Sequence, residues 1–263
     1  MSDTLQCETF GSGMPLVFIH GWGLNSAIFK PVADKLASRY QVTLIDLPGF
    51  GDNQHIAPSE YSLSVISNLV ADCITQPSVI LGWSLGGLVA TEIALHHRNL
   101  VTGLVTIASS PYFVQQDNWP GIKAELLTSF HRQLAADSDK TISNFLKLQA
   151  MGSEHVARDI KEIKSLLASR PKANERVLDA SLCLLETVDL RCKIADLTVP
   201  FLRLYGRLDS LVPKGMIEQM DKLVPNADRY VFHRASHAPF ISHKEEFYTV
   251  LSDWLNGIQD GQR

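Results

Sequence analysis

The stretch from Val79 to Ala90 constrains the fold of this chain more than any other part of the sequence. Its centre is a Gly-x-Ser-x-Gly pentapeptide around Ser84, with an apolar run before it and an apolar, helix-compatible run after it. This pattern predicts a buried strand, a tight turn and a helix. The two glycines lack a Cβ atom, so strand and helix can approach closely, and we expect a strained backbone at Ser84. The turn would hold the Ser84 hydroxyl clear of the sheet, beside the free N–H of Leu85.

Strand-like and helix-like segments alternate on both sides of this turn. Besides the run that leads into Ser84, apolar runs predict strands at 16–19, 42–45, 100–108, 199–206 and 229–232. Apolar residues at helical spacing predict helices at 30–40, 62–76, 87–97 and 243–255. Strands that alternate with helices imply crossover connections, so we expect a mostly parallel central sheet with helices on both faces.

The alternation stops in the middle of the chain. Residues 112–189 show no convincing strand pattern and instead predict helices at 122–136, 141–151, 156–167 and 174–187. So long a helical segment exceeds an ordinary crossover between two strands of one sheet. We therefore expect residues 1–111 and 190–263 to form the core, and residues 112–189 to form an inserted helical lid over the active site. An independent helical domain is the alternative.

Two polar residues downstream complete a constellation with Ser84. Asp209 follows the strand at 199–206, and His237 follows the strand at 229–232, so all three side chains should reach one edge of the sheet. Their order, nucleophile then acid then base, resembles that of the α/β-hydrolases and implies the α/β-hydrolase fold. A glycine-rich turn that has no catalytic role would not require Asp209 and His237 at these positions. We therefore expect His237 to accept the Ser84 proton and Asp209 to orient the imidazole.

The segment His20-Gly21-Trp22-Gly23 follows the first predicted strand. In α/β-hydrolases this loop supplies one donor of the oxyanion hole, which here would be the N–H of Trp22 beside that of Leu85. The indole of Trp22 is also expected to contact the ligand. His20 is expected to fix the loop by hydrogen bonds, and Asp46 is expected to be structural because it precedes the serine.

Charge and composition exclude several other classes of protein. The formal net charge of −4 argues against a general nucleic-acid binder. No apolar run is long enough for a membrane span, and the polar N-terminus does not resemble a signal peptide. The four cysteines show no metal-ligand spacing, which indicates free thiols in a reducing compartment. We expect a cytoplasmic, monomeric protein without a metal or another cofactor.

Several motifs narrow the resemblance within the α/β-hydrolases. They begin with His20-Gly21-Trp22-Gly23-Leu24-Asn25, end with residues 235–243, and include residues 46–51, 82–90, 119–123, 145–152 and 187–191. Together they resemble the bacterial biotin-pathway carboxylesterases known as BioH. The resemblance covers about residues 11–255, including the expected lid, which is usually the most variable part of such folds.

The resemblance implies a function and a set of contacts. The reaction would be hydrolysis of the methyl ester of pimeloyl-acyl-carrier protein, which releases methanol and the free distal carboxylate. The implied substrate contacts are Trp22, Ser84, Leu85, Phe145, Leu146, Lys147, Leu148, Gln149 and His237. Without the resemblance, Phe145 and Leu148 would be interpreted as helix packing.

One segment within the expected lid is more basic than the rest of the chain. Residues 123–176 carry a net charge of +3, against −7 for the remaining residues. Such a surface could steer an acidic carrier protein, although an ordinary solvated helical surface explains the charge equally well. The resemblance implies carrier contacts at Lys140, Arg158 and Lys161. The carrier-contacting residues of the family are arginines at several of these places. Here Asn144 and Ala157 are uncharged, and Lys140 keeps the charge but cannot make the forked contact of an arginine with phosphate.

Two other functions remain compatible with the motifs. A generalist carboxylesterase for short acyl chains would share every catalytic residue, and a non-hydrolytic ligand receptor could share the fold. Dehalogenases and epoxide hydrolases have an aspartate nucleophile in the turn, so Ser84 argues against them. A related lyase of menaquinone synthesis has the same triad, which the triad alone does not distinguish.

Overall fold

A computed structural model describes residues 4–151 and 155–261. Gly152, which belongs to one of the motifs above, lies outside the described residues. Within them the strands form one seven-stranded sheet in the order β1-β3-β2-β4-β5-β6-β7. The strand bounds are β1 Cys7–Gly11, β2 Met14–Ile19, β3 Tyr40–Ile45, β4 Ser78–Trp83, β5 Val101–Ile107, β6 Phe201–Gly206 and β7 Asp228–Phe232. β1 pairs antiparallel with β3, and the other neighbouring strands are parallel.

Helices cover both faces of this sheet. Their bounds are α1 Lys30–Leu36, α2 Leu63–Ala71, α3 Leu85–His96, α4 Ala124–Ala136, α5 Ser138–Ala150, α6 Val156–Leu167, α7 Glu175–Thr187, α8 Lys214–Leu223, α9 Pro239–Ser242 and α10 Lys244–Gln259. Buried side chains of α2, α3 and α8 belong to the hydrophobic cluster on one face, and those of α1 and α10 belong to the cluster on the other. The predicted mostly parallel α/β architecture is confirmed. No helix in the described part of the chain has the length and apolar character to cross a membrane.

The central strands are continuous apolar runs because both of their faces are covered. Every residue of β4 and of β6 is buried. In a parallel sheet packed between two helical layers, a strand needs apolar side chains on both faces. This is why the strands that precede Ser84 and Asp209 could be predicted. The parallel pairing brings the carboxyl ends of β2, β4, β5 and β6 together at one edge of the sheet.

Three elements escaped the sequence prediction, and two helices were predicted too long. β1 is a short edge strand that alternates between exposed and half-buried residues, so it lacks an apolar run. α8, which follows Asp209, and the short α9, which follows His237, were also not predicted. The expected helix at 62–76 ends at Ala71, and the expected helix at 30–40 ends at Leu36. Tyr40, which fitted the helical spacing, is instead the buried first residue of β3.

Four helices, α4 to α7, lie between β5 and β6 within the described residues, and we call them the helical insertion. Their bounds differ from the predicted ones by three residues at most. The insertion shares its buried side chains with the core. Phe130 and Phe145 belong to the same cluster as Trp22, whereas Leu146 and Ile163 belong to the cluster on the other face. The helices therefore pack onto the sheet edge rather than around a centre of their own.

Candidate active site

Ser84 sits in a sharp turn between β4 and α3. Its backbone has φ +54° and ψ −117°, and the residue is 2% exposed. A Cβ added at Gly82 would lie 2.2 Å from the carbonyl oxygen of Gly86, and one added at Gly86 would lie 2.2 Å from that of Ile19. Neither position accepts a side chain, so these glycines permit the close crossing of strand and helix that the sequence predicts.

Hydrogen bonds hold the strained turn in place. The Ser84 N–H donates to the carbonyl of Ile107 at 2.9 Å. Its own carbonyl accepts from the N–H of Gly87 at 2.9 Å and from the hydroxyl of Ser109 at 2.7 Å. Leu85 is the first residue of α3, so its N–H is among those that a helix leaves without an intrahelical acceptor.

Asp209 and His237 form a buried pair. His237 Nδ1 donates to Asp209 Oδ2 at 2.7 Å, and both side chains are 1% exposed. The other carboxylate oxygen, Oδ1, accepts from the N–H groups of Leu211 at 2.8 Å and Val212 at 3.0 Å. These bonds fix the carboxylate, which in turn fixes the tautomer of the imidazole with its proton on Nδ1.

The other nitrogen of His237 is left to accept a proton. Nε2 is buried and has no hydrogen-bond partner among the described residues. The Ser84 hydroxyl therefore does not donate to Nε2 in this conformation. Nucleophile-to-base hydrogen bonds in ligand-free sites are commonly long and tighten when substrate binds.

Three contacts hold the backbone around His237. The indole N–H of Trp83 donates to the His237 carbonyl at 2.8 Å. The His237 N–H donates to the carbonyl of Gln149 at 3.2 Å, and the Ser236 hydroxyl donates to the carbonyl of Met151 at 2.8 Å. The end of α5 thus holds the histidine loop directly, a contact that the sequence did not indicate.

The loop after β2 lies against the serine turn. A Cβ added at Gly21 would lie 3.2 Å from Ser84 Cβ, so the loop passes next to the nucleophile. His20 fixes this loop as expected, because Nδ1 donates to the Gly21 carbonyl at 2.8 Å and Nε2 accepts from the Leu47 N–H at 3.0 Å. Complete burial lowers the pKa of His20, and the nearby Asp46 carboxylate opposes this effect.

Trp22 joins this loop to the helical insertion. Its side chain is fully buried, and the indole N–H donates to the carbonyl of Leu178 in α7 at 2.9 Å. The ring packs edge-on against Phe145, with ring centroids 4.8 Å apart, and it also contacts Phe130. These contacts join the loop after β2 to α4, α5 and α7.

Asp46 anchors the neighbouring loops, as its position before the serine indicated. Oδ1 accepts from the Ser26 N–H at 2.6 Å, and Oδ2 accepts from the Asp52 N–H at 2.9 Å. Arg170, in the connection between α6 and α7, donates to Asp46 Oδ2 at 3.1 Å and to Glu8 at 2.6 Å. It also pairs with Asp52. Arg170 belongs to no recognisable motif, so its contacts with the core were not predicted from the sequence.

The α5 residues that the resemblance predicts as substrate contacts differ in their burial. Phe145, Leu146 and Gln149 are buried, Leu148 is half-buried, and Lys147 is exposed. The carboxamide of Gln149 is buried, and neither its oxygen nor its nitrogen has a hydrogen-bond partner in the described part of the chain. Such a group costs free energy unless another molecule satisfies it. Lys140 on α5 and Arg158 and Lys161 on α6 are exposed.

This arrangement suits nucleophilic acyl transfer. It combines a hydroxyl on a strained turn, an imidazole with one free buried nitrogen, and a carboxylate that holds the imidazole. It also brings the first N–H of α3, that of Leu85, and a second backbone loop next to the hydroxyl.

Comparisons with known proteins agree with this geometry. A family model described as alpha/beta hydrolase fold matches residues 14–244. A pimeloyl-[acyl-carrier protein] methyl ester esterase of Aeromonas hydrophila is 46% identical over 252 residues, which cover 96% of this chain and 99% of that protein. The esterase of the same name from Photobacterium profundum is 46% identical over 255 residues, covering 97% and 100%. The structure of an esterase from Exiguobacterium antarcticum has a TM-score of 0.87 at 24% identity, with 96% and 95% covered, and shows the fold alone.

Proposed function

The chain belongs to the alpha/beta hydrolase family, in the group of the pimeloyl-[acyl-carrier protein] methyl ester esterases, and we propose that it is a serine carboxylesterase acting on that ester. The products are pimeloyl-acyl-carrier protein and methanol, in biotin biosynthesis. The observation that carries this proposal is an identity of 42–46% to several esterases of that name over nearly the whole chain. The geometry around Ser84 supports the same chemistry.

Ser84 is the nucleophile in the proposed mechanism. Its Oγ attacks the carbonyl carbon of the methyl ester while His237 Nε2 accepts the hydroxyl proton, which gives a tetrahedral intermediate. Asp209 stabilises the imidazolium through the 2.7 Å bond to Nδ1. The free, buried Nε2 supports this assignment, since a base that is already hydrogen-bonded elsewhere could not take the proton.

The negative charge on the intermediate requires its own donors. The N–H of Leu85 at the start of α3 and the N–H of Trp22 form the oxyanion hole. Removal of one such donor typically costs about 3–4 kcal/mol of transition-state stabilisation. The position of Leu85 as the first helical residue supports its role, because that N–H has no acceptor within the helix.

The intermediate then breaks down in two stages. His237 returns its proton to the methoxy oxygen, the bond from the carbonyl carbon to that oxygen breaks, and methanol leaves an acyl-enzyme on Ser84. A water molecule, deprotonated by His237, attacks the acyl carbon, and Ser84 regains its proton. The distal carboxylate of the pimeloyl chain is released while its other end stays thioesterified to the carrier.

The helical insertion is the lid of this site. Trp22, Phe145 and Leu148 form the wall along which the methylene chain lies, and Leu146 supports it from the cluster on the other face. The buried Gln149 carboxamide is the polar group that meets the substrate. Its lack of a partner among the described residues supports this role. Lys147 points to solvent, so it serves as a contact at the edge of the site rather than within it.

The acyl-carrier protein docks on the outer surface of the lid. Lys140, Arg158 and Lys161 are exposed there and supply positive charge to an acidic partner. The enzyme acts as a monomer in the cytoplasm, where its substrate is made. No cofactor takes part in the mechanism.

A fluorophosphonate probe tests the class of function. We expect stoichiometric labelling of Ser84, and no labelling of Ser84→Ala or of wild type denatured beforehand. Ser38, an exposed serine whose hydroxyl donates to the Lys35 carbonyl, offers the control variant Ser38→Ala, in which Ser84 should still be labelled. A folded chain whose Ser84 does not react would favour a ligand receptor of the same fold.

Genetic complementation tests the substrate. A biotin-requiring bacterial strain that lacks its own pimeloyl-carrier methyl ester esterase should grow without biotin when it expresses this chain. The Ser84→Ala variant, expressed at the same level, should not restore growth. If the wild type labels with fluorophosphonate but does not complement, the chain is a generalist esterase and the proposed substrate is wrong.

A further inference from the structure

A second group of chemically active side chains lies on the helical insertion, away from Ser84. His131 on α4 and Asp179 and Cys183 on α7 offer three ligand atoms that all lie within 4.8 Å of one another. Positions 179, 183 and 186 share one face of α7 because they are spaced by one and two helical turns. The group contains one nitrogen, one oxygen and one sulfur donor, so it is not simply an acidic cluster.

The histidine has a carboxylate near each of its ring nitrogens. Nδ1 donates a hydrogen bond of 2.6 Å to Asp179 Oδ1. Nε2 is buried, makes no hydrogen bond within the described residues, and lies 3.4 Å from Glu186 Oε2. A cation that replaces the proton on Nδ1 would shift the ring proton to Nε2, where Glu186 lies close enough to accept it, as carboxylates do for the histidines of zinc sites.

We propose that His131, Asp179 and Cys183 bind a divalent cation of the zinc class, with Glu186 accepting the His131 Nε2 proton once the cation is bound. Histidine, carboxylate and thiolate together favour Zn²⁺ over Mg²⁺ or Ca²⁺, which prefer oxygen ligands. Zinc lies about 2.0–2.3 Å from its ligands, so the donor atoms of a tetrahedral site are roughly 3.3–3.8 Å apart. The three donors lie within 4.8 Å of one another, so the most distant pair must approach by at most about 1 Å. His131 Nδ1 and Asp179 Oδ1, which are 2.6 Å apart, must separate, and side-chain rotation can provide both changes. The Cys183 thiol releases its proton to solvent as the sulfur binds the cation.

The site is accessible and has a position left for solvent. The Asp179 side chain is 58% exposed and that of His131 is 22% exposed, so a hydrated cation can enter from outside. Three protein ligands leave a fourth tetrahedral position for water. The cation would also offset the negative charge that Asp179, Glu186 and the thiolate place on this face.

The site connects to the wall of the active site. His131 follows Phe130, which contacts the Trp22 ring, and Asp179 follows Leu178, whose carbonyl accepts from the Trp22 indole. A cation that joins α4 to α7 would therefore tie together the two helices that hold Trp22. This role goes beyond the proposed esterase function, and the binding test below does not depend on that function.

Cobalt(II) is the probe for the test, because a Co²⁺–thiolate bond gives a charge-transfer absorption that nitrogen and oxygen ligands do not. Titration of the reduced, untagged full-length protein with Co²⁺ should produce this band with saturation at one ion per chain, and Zn²⁺ should abolish it. Cys183→Ser should lose the band. Glu186→Gln should keep the band but bind about 10- to 100-fold more weakly.

Matched variants assign the signal to this site. Cys192→Ser removes an exposed thiol elsewhere, and Cys73→Ser removes a half-buried one, so both should keep the band. Asp179→Asn, at an exposed position, should weaken Co²⁺ binding without unfolding the protein. Thermal unfolding of this variant without metal checks that the fold is intact. Absence of the band in the wild type, its persistence in Cys183→Ser, or its loss in Cys73→Ser would each overturn the proposal.

Discussion

The backbone of Ser84 departs from the conformations that ordinary residues adopt. A non-glycine residue at φ +54° costs on the order of 1–3 kcal/mol, and the surrounding contacts must maintain it. Ser109 and the backbone of Ile107 supply those contacts. The strained conformation is therefore held by the contacts around the turn that carries the hydroxyl.

Asp209→Asn tests the role of the acid. An asparagine can donate to His237 Nδ1, which favours the tautomer with its proton on Nε2 and removes the base from the reaction. We expect kcat to fall by a factor on the order of 10⁴ with little change in stability. Esterase kinetics and urea unfolding measure the two effects. Asp196→Asn, at an exposed aspartate outside the site, should leave kcat unchanged; equal losses in both variants would contradict the assignment.

His20 gives a prediction about pH and stability. Burial holds its folded-state pKa below the value of about 6.5 in the unfolded chain, so between these two values the unfolded chain binds more protons. The contribution of His20 to stability is thus complete above about pH 6.5 and is lost as the pH falls below it. Urea unfolding from about pH 7.5 to about pH 5 should show a smaller loss in His20→Gln than in the wild type. Identical losses would show that His20 does not titrate in this way.

The parts of the site that depend on local sequence patterns could be predicted. Ser84, Asp209 and His237 each follow an apolar strand, and parallel strands end at a common edge, so their meeting was foreseeable. The bond from Trp83 to the His237 carbonyl and the bond from His237 to the Gln149 carbonyl were not. They join residues far apart in sequence, and nothing in the local pattern of either partner signals the other.

At the scale of elements, the connection between α6 and α7 fixes the insertion to the core. Arg170 reaches across to Glu8, Asp46 and Asp52. The Asn174 N–H donates to the carbonyl of Gly49 at 2.8 Å, next to these contacts. The insertion thus has a fixed side at this connection, and its other side, at the end of α5, contacts the histidine loop.

Arg170→Ala should weaken the attachment of the α6–α7 connection to the core. The Asp46 carboxylate is 1% exposed and would lose its cationic partner while keeping two backbone donors, so we expect a loss of about 1–3 kcal/mol in the free energy of unfolding. Lys172→Ala in the same connection is the matched control. It removes the exposed pair with Asp139 and should have no measurable effect on urea unfolding. Equal effects of the two substitutions would contradict the role of Arg170 in fixing this connection to the core.

The elements themselves were predictable in proportion to their burial. Strands packed on both faces appear as apolar runs, which gave β4 and β6, whereas β1 at the sheet edge has no such run. The insertion helices were predicted because each has an apolar stripe. Their placement was not, because the pairing of Trp22 with Leu178 and Phe145 depends on contacts between distant segments.

At the scale of the whole molecule, charge is distributed unevenly. The segment 123–176 carries +3 while the remaining residues carry −7. An acidic carrier protein would be attracted to this segment and repelled by the more acidic remainder, which includes Asp179 and Glu186 on α7. Such an arrangement mainly raises the rate of association and orients the encounter, and it weakens as salt is added.

Charge reversal on the insertion tests this steering. With Lys140, Arg158 and Lys161 all replaced by Glu, we expect kcat/KM for the carrier-bound ester to fall by about tenfold or more at low salt, and less at high salt. Hydrolysis of a small free ester should not change. Reversal of Lys193, Lys214 and Lys222, exposed lysines of the core, is the control. A loss for both substrates, or for the control variant alone, would contradict docking on the insertion.

The most direct test of the central claim is the release of methanol from purified pimeloyl-acyl-carrier protein methyl ester. The wild-type protein should convert it to methanol and pimeloyl-acyl-carrier protein in equal amounts with the thioester intact, and Ser84→Ala should reduce the rate by a factor on the order of 10⁶. A wild-type protein that cleaves short activated esters but leaves the carrier-bound methyl ester intact would contradict the account.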